Sequence, residues 1–231
     1  MGKSIATKKI ILLVGRDNWQ KDDSLNHILL GYLKTTHYTI KWEDPAGNIL
    51  YKLRQLEREI KWLPDTIRKI NLRIVQLLYG ITHWSYFVYL SGRKNQSIEF
   101  RSQKLRESIL RLGVKNEIII FSRSAGGRIS SRIADELQIK QLICLGYPFK
   151  HPEKEDEPGR YQHLKDLKTP FLSIQGSRDE YGGLGVSEKY ELSPAIELFF
   201  VDTNHEFNIS PEEWKKVRKK ISQLFAVSPV E

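Results

Sequence analysis

Three short polar segments carry residue types that can act together on an acyl bond. Ser124 stands in Ser122-Arg123-Ser124-Ala125-Gly126-Gly127, Asp179 in Gly176-Ser177-Arg178-Asp179, and His205 in Asp202-Thr203-Asn204-His205. A serine hydroxyl is a weak nucleophile near neutral pH. It needs an imidazole to take its proton and a carboxylate to fix that imidazole's tautomer and orientation. Serine, acid, histidine is one of the chain orders in which such triads occur. The small residues after Ser124 suit a nucleophile elbow, a sharp turn in which strand and helix approach closely, although Ser122 replaces the first glycine of Gly-x-Ser-x-Gly. A simple helix cap at Ser124 is the competing reading. Glu180 and Asp202 leave the acid role open beside Asp179. Among the other histidines, His27, His37, His151 and His163 suit surface or structural roles, and His83, beside Trp84 and Tyr86, suits packing with a hydrogen bond more than a catalytic place in a pocket.

These residues need rigid elements behind them, and the apolar pattern supplies candidates. Residues 9–14 form a short continuous apolar run ending at Gly15, as a strand covered on both faces should. Similar strands are predicted at 38–42, 117–121, 141–145, 171–175 and 196–201, and helices at 24–34, 49–78 with a break at Pro64, 100–112, 126–137 and after Ser210. Ser210, Pro211 and Glu213 read as an N-cap, first helical residue and capping box. Strands alternating with helices predict an α/β fold, a mostly parallel sheet of about six strands with helices on both faces. Ser124, Asp179 and His205 each come just after a strand, so all three fall at the carboxyl edge where open α/β sheets bind ligands. A single domain is predicted over 1–231, with a helical insertion at 48–92 that leaves the second strand at that same edge and reads either as a lid or as a pair of outer helices covering one face of the sheet.

Composition narrows the remaining classes. The chain has 231 residues, 28% of them charged, with a net charge of +9 and one cysteine. That excludes an internal disulfide framework and a multi-cysteine zinc site, and Cys144, in the apolar run 142–145, reads as a core residue. No secretory signal is visible, so a cytoplasmic location is the expectation. The uncharged stretch 74–92 is too interrupted to span a bilayer and reads as core or pocket wall. Lys52, Arg54, Arg58 and Lys61 would give a lid a positive field that favours anionic substrates. The basic helices read as solvated outer faces, which makes a nucleic-acid partner an unfavoured reading. No dinucleotide loop, P-loop or His-Glu-x-x-His is present, so neither cofactor nor metal is expected.

Four blocks together resemble the α/β-hydrolase superfamily, most closely its small dienelactone-hydrolase-like branch with the testis-expressed type of hydrolase-like proteins. They are 122–128, the Leu145-Gly146-Tyr147-Pro148 turn, 168–179 and Asn204-His205-Glu206-Phe207, and the similarity extends over about residues 100–225. The resemblance implies Ser124 as nucleophile, Asp179 as acid, His205 as base and the Ala125 amide as an oxyanion donor. Where the family has a His-Gly pair after its first shared strand, this chain has Val14-Gly15-Arg16-Asp17. A backbone amide of Gly15 or Arg16 would then complete the oxyanion hole. The implied activity is serine hydrolysis of an ester or related acyl bond on a small-molecule substrate. A binding or scaffold protein on the same fold, without efficient catalysis, is the alternative.

Overall fold

The computed structural model describes residues 8–15, 29–95, 97–113 and 116–225. Six strands, β1 (Lys9–Val14), β2 (Thr39–Trp42), β3 (Glu117–Arg123), β4 (Gln141–Leu145), β5 (Phe171–Gly176) and β6 (Ile196–Val201), form one sheet in the order β2-β1-β3-β4-β5-β6. Every neighbouring pair is parallel. The direction of succession reverses between β1 and β3, and this switch point opens a crevice at the carboxyl edge.

Alternate strand residues point to opposite faces, and here both faces are buried. Ile10, Leu12, Ile118 and Ile120 pack with Leu105, Ile109 and Ile129 on one side. Ile11, Leu13, Ile119 and Phe121 pack on the other with Leu30, Leu33, Trp214, Val217 and Ile221. The helices that supply these residues are α1 (Leu30–Leu33), α5 (Ile98–Leu112), α6 (Ala125–Ser131) and α8 (Pro211–Phe225), and the short α7 (Val186–Lys189) adds Val186 to the first side. Cys144 is fully buried, and burial pushes its thiol up to about 12, which keeps it protonated.

Local chemistry explains where the helices begin and end. Pro64 breaks the long tract as expected, separating α2 (Gly47–Glu59) from α3 (Asp65–Thr82). Ser97 starts α5 by accepting from the Phe100 N–H at 3.2 Å. At α8 the Ser210 hydroxyl accepts from Glu213 N–H at 3.2 Å, but the Glu213 carboxylate turns to Asp202 N–H and Lys216 instead of closing a box. The helix expected over 126–137 stops at Ser131, giving way to turns. Ser130 bonds back to the Gly126 carbonyl at 2.8 Å, and Gln138 takes φ 51° at the end of those turns. Of the helix expected over 24–34, the part up to residue 28 lies outside the described residues, and α1 accounts for most of the remainder.

Residues 48–92 depart from expectation in a different way. They fold into α2, α3 and the start of α4 (Ser85–Asn95), packed around Ala46, Leu50, Leu72 and Tyr86. The tract is anchored to the end of β2, where Asp44 accepts from Ala46 N–H at 2.9 Å and Tyr86 donates to its other oxygen at 3.4 Å. The stretch 74–92 is not core throughout, since Leu77, Leu78, Ile81, Trp84 and Val88 are all more than half exposed. Nor is the outer face of α3 a solvated charged one, because isoleucines and leucines occupy it. Arg54, expected to project a positive field, is buried and paired with Glu57 at 2.8 Å, so its charge is neutralised inside the insertion.

Candidate active site

β3 delivers Ser124 into an unusual backbone conformation. Its φ of 50° and ψ of −120° are strained for a residue with a Cβ, and it stands directly before α6. The turn closes only because the next residues are small. A Cβ on Gly126 would lie 2.3 Å from the Val14 carbonyl oxygen, and one on Gly127 would lie 2.5 Å from Cys144 Sγ. These glycines let α6 start against both β1 and β4. Ser122 fits where the usual motif has glycine because its hydroxyl donates to the Ile143 carbonyl of β4 at 3.0 Å.

The Ser124 hydroxyl lies 2.9 Å from His205 Nε2. On the far side of the ring, Nδ1 is 3.0 and 2.9 Å from the two carboxylate oxygens of Asp179. Ser124, His205 and Asp179 are thus brought together from three strand ends, and all three are buried. Asp179 is in turn held by the Tyr181 N–H at 2.8 Å and by Gln175 Nε2 at 3.3 Å. Burying a carboxylate is tolerable only with such donors around it. Glu180 and Asp202, the competing acids, lie elsewhere: Asp202 is exposed and pairs with Arg178 at 3.0 Å.

Gln175, Arg123 and Tyr181 support this cluster; Arg123 and Gln175 lie inside the blocks that carry the family resemblance, but none of the three is a candidate site residue from sequence. Gln175 accepts from Tyr147 N–H at 3.0 Å and donates to the Tyr147 carbonyl at 2.9 Å, tying the loop after β4 to β5. Arg123 donates to the Leu145 carbonyl at 3.2 Å and to the His205 carbonyl, and stacks over Phe207 with 5.1 Å to the ring centroid. It therefore grips the backbone of the histidine loop from beneath the serine. The Tyr181 ring lies 4.3 Å from that of His205 and limits its rotation. Besides its place in the 168–179 block, Gln175 is marked by being a polar side chain at the end of a largely apolar strand, where it needs hydrogen-bond partners.

The remaining expected residues are partly in view. Ala125 is the first residue of α6, where an N–H has no acceptor within its own helix. Gly15 comes after β1 beside the elbow, and its carbonyl accepts from buried Arg101 at 3.3 Å. Arg16 lies outside the described residues. A groove of about 380 Å³ between α4 and α5 is lined by Glu43, Tyr89, Phe100 and Arg101, close to the ends of β1 and β2. Among the described residues no cluster of His, Cys, Asp or Glu could hold a metal ion, and no helix is long and apolar enough to cross a membrane.

Comparison with known proteins agrees with the architecture. The structure is similar to a monoacylglycerol lipase from Paleococcus ferrophilus, at 12% identity over 95% of each chain with a TM-score of 0.57. It is also similar to MGS-MChE2, an alpha/beta hydrolase enzyme from the metagenome of Mar Chica lagoon sediments, at 13% identity over 95% of this chain and 91% of that one, TM-score 0.56. At such identities the likeness concerns the fold alone. No curated protein matches the sequence. A family model described as an alpha/beta hydrolase domain matches residues 62–228. With that match spanning most of its length, the chain belongs to the alpha/beta hydrolase family.

Proposed function

We propose that the protein is a serine hydrolase that cleaves an ester or related acyl bond through a covalent acyl-enzyme. One observation carries this reading: the continuous contact from Ser124 Oγ through the His205 ring to the Asp179 carboxylate. As Ser124 Oγ attacks the acyl carbon, its proton passes to His205 Nε2 and the carbonyl electron pair moves onto oxygen. Asp179 keeps Nδ1 protonated and balances the imidazolium that forms. The Ala125 amide and an amide of Gly15 or Arg16 donate to the oxyanion. Collapse of the tetrahedral intermediate expels the leaving group, which takes the proton from His205. Water then repeats the sequence on the acyl-enzyme and releases the acid.

The same reading takes residues 1–231 as one hydrolase domain in which the insertion at 48–92 walls the substrate entrance. The groove at Tyr89 and Arg101 supports it, because Arg101 also bonds Gly15. Incubation with a fluorophosphonate and subsequent intact-mass analysis test the chemistry. The expected result is one adduct on Ser124, absent from Ser124→Ala, with turnover of short nitrophenyl esters by the wild type alone. Folded protein that neither labels nor turns over such esters would overturn the reading and favour a binding protein that keeps the fold without the chemistry.

A further inference from the structure

The most anomalous surface of the molecule is α3. At 100° per residue, its inward face carries Leu72, Gln76 and Gly80, all buried. Packing there is close, since a Cβ on Gly80 would fall 2.5 Å from the Phe87 ring. The opposite face carries Ile67, Ile70, Ile74, Leu77, Leu78 and Ile81, exposed by 40%, 51%, 51%, 57%, 58% and 63%. They form one stripe about 100° wide along the helix. An ordinary surface helix puts its large apolar residues inward and polar ones outward. Here the arrangement is inverted, and contiguous apolar patches of this kind mark interaction sites.

The surroundings of the stripe indicate what it meets. Trp62, 79% exposed, lies in the turn before α3, and Trp84, 76% exposed, in the turn after it. Exposed indoles at both ends of an apolar helix are suited to the level of lipid headgroups, where the ring is apolar and its N–H meets water. Lys61, Lys69 and Arg73 are exposed alongside. Over residues 48–73 the chain carries seven Lys or Arg against three Asp or Glu. Two of those three acids are engaged within the insertion, Glu57 with Arg54 and Asp65 with Arg68. A second copy of the same chain is the less suitable occupant. A two-fold contact sets the patch against itself, which would bring Lys69 and Arg73 of both copies to one seam without a facing carboxylate on α3 other than Asp65 at its end.

We propose that the outer face of α3, with Trp62 and Trp84 at its ends, docks the protein onto an anionic lipid bilayer. The helix lies in the plane of the interface over ~27 Å, with its isoleucines and leucines among the upper acyl carbons and Lys61, Lys69 and Arg73 against the headgroup phosphates. The proposal is independent of the hydrolase reading, because it needs no chemistry at Ser124.

Vesicle co-sedimentation tests it, using phosphatidylcholine alone and an equimolar mixture with phosphatidylglycerol. The full chain is expected to sediment with the anionic vesicles and at least about tenfold less with the neutral ones, with binding falling as salt is raised. Ile74→Glu with Leu78→Glu should abolish binding, and Lys69→Glu with Arg73→Glu should weaken it by about tenfold or more. All four positions are exposed, so circular dichroism should be unchanged. Tryptophan emission should shift to the blue on binding, and Trp62→Phe with Trp84→Phe should remove that shift. Wild-type protein that ignores anionic vesicles, or variants that bind as the wild type does, would overturn the proposal. So would a wild-type dimer that Ile74→Glu with Leu78→Glu dissociates, since a second copy would then be the occupant.

Discussion

Two serine–histidine contacts of nearly equal length stand at opposite ends of one short helix. Ser124, just before α6, is 2.9 Å from His205 Nε2; Ser131, its last residue, is 2.8 Å from His163 Nε2. Only the first has a carboxylate on the other side of the ring, and only the first has its serine in a strained backbone. The His163 ring instead faces Arg132 and Arg128, and no carboxylate is bonded to it among the described residues. Burial first, then those two positive charges, push His163 down to about 4. A protonated His163 would be poorly tolerated, whereas a general base must accept a proton during each cycle. The difference lies in what surrounds the pair and not in the contact itself.

The largest effects should separate the two serines and the one acid. Ser124→Ala is expected to remove fluorophosphonate labelling and to lower ester turnover by ~10³-fold or more. Asp179→Asn keeps the shape but cannot hold the imidazolium, so turnover should fall by ~10²- to 10⁴-fold with little change in KM. Parallel progress curves of the two variants against wild type check both. Wild-type turnover in Asp179→Asn would make the Asp179 contact dispensable and would erase the distinction from His163.

Arg123→Met asks whether gripping the histidine loop matters. The Leu145 carbonyl keeps the Ser124 N–H at 3.0 Å, but the His205 carbonyl loses the guanidinium, and a buried carbonyl that loses its donor costs ~1–3 kcal/mol. Arg123 is a positioning residue, so kcat should fall about tenfold while the pH profile keeps its shape. A shifted profile would mean that Arg123 acts on the His205 charge instead.

How much of these regions the sequence disclosed depends on the range of the forces involved. β1, β3 and β4 were legible because strands buried on both faces must be largely continuous apolar runs, and Pro64 was legible because its ring breaks a helix by local sterics. Ser124, Asp179 and His205 were candidates because each comes just after an expected strand. Arg123 reaches His205, Gln175 reaches Tyr147 and the Tyr181 ring reaches His205 across loops distant in sequence, so no spacing announces those contacts. The outward stripe of α3 was hidden for a related reason: period alone locates an apolar face but cannot say whether the fold turns it inward. Arg54 has the sequence pattern of a surface charge; Glu57, three residues on in the same helix, is within local pairing reach, but only the fold shows that the pair is buried.

His163 should reveal itself through stability and not through rate. In the unfolded chain an ordinary histidine titrates near 6.5, whereas folded His163 is pushed down to about 4. As pH falls, the unfolded state therefore takes up the proton first. The contribution is present above about pH 6.5 and is lost as pH falls toward about 4, a total on the order of 3 kcal/mol. Urea titrations across this window should show stability declining in the wild type. His163→Gln should flatten that part of the decline and leave turnover at neutral pH unchanged.

The smallest expected effect is that of Ser131→Ala, and it tests the comparison directly. Ser131 is seven residues beyond Ser124 on a helix that rises 1.5 Å per residue, so the two hydroxyl-bearing positions are separated by ~10 Å along the axis. No substrate carbonyl poised over the Ala125 amide could also reach it. Removing its hydroxyl deprives His163 Nε2 of a partner in a half-buried setting, which costs ~0.5–1.5 kcal/mol. Labelling at Ser124 and ester turnover should stay within about twofold of wild type, while thermal unfolding moves down by a few degrees. A Ser131→Ala variant that loses labelling at full stability would show that α6 transmits its C-terminal contact to the elbow, and the two pairs would then have to be treated as one site.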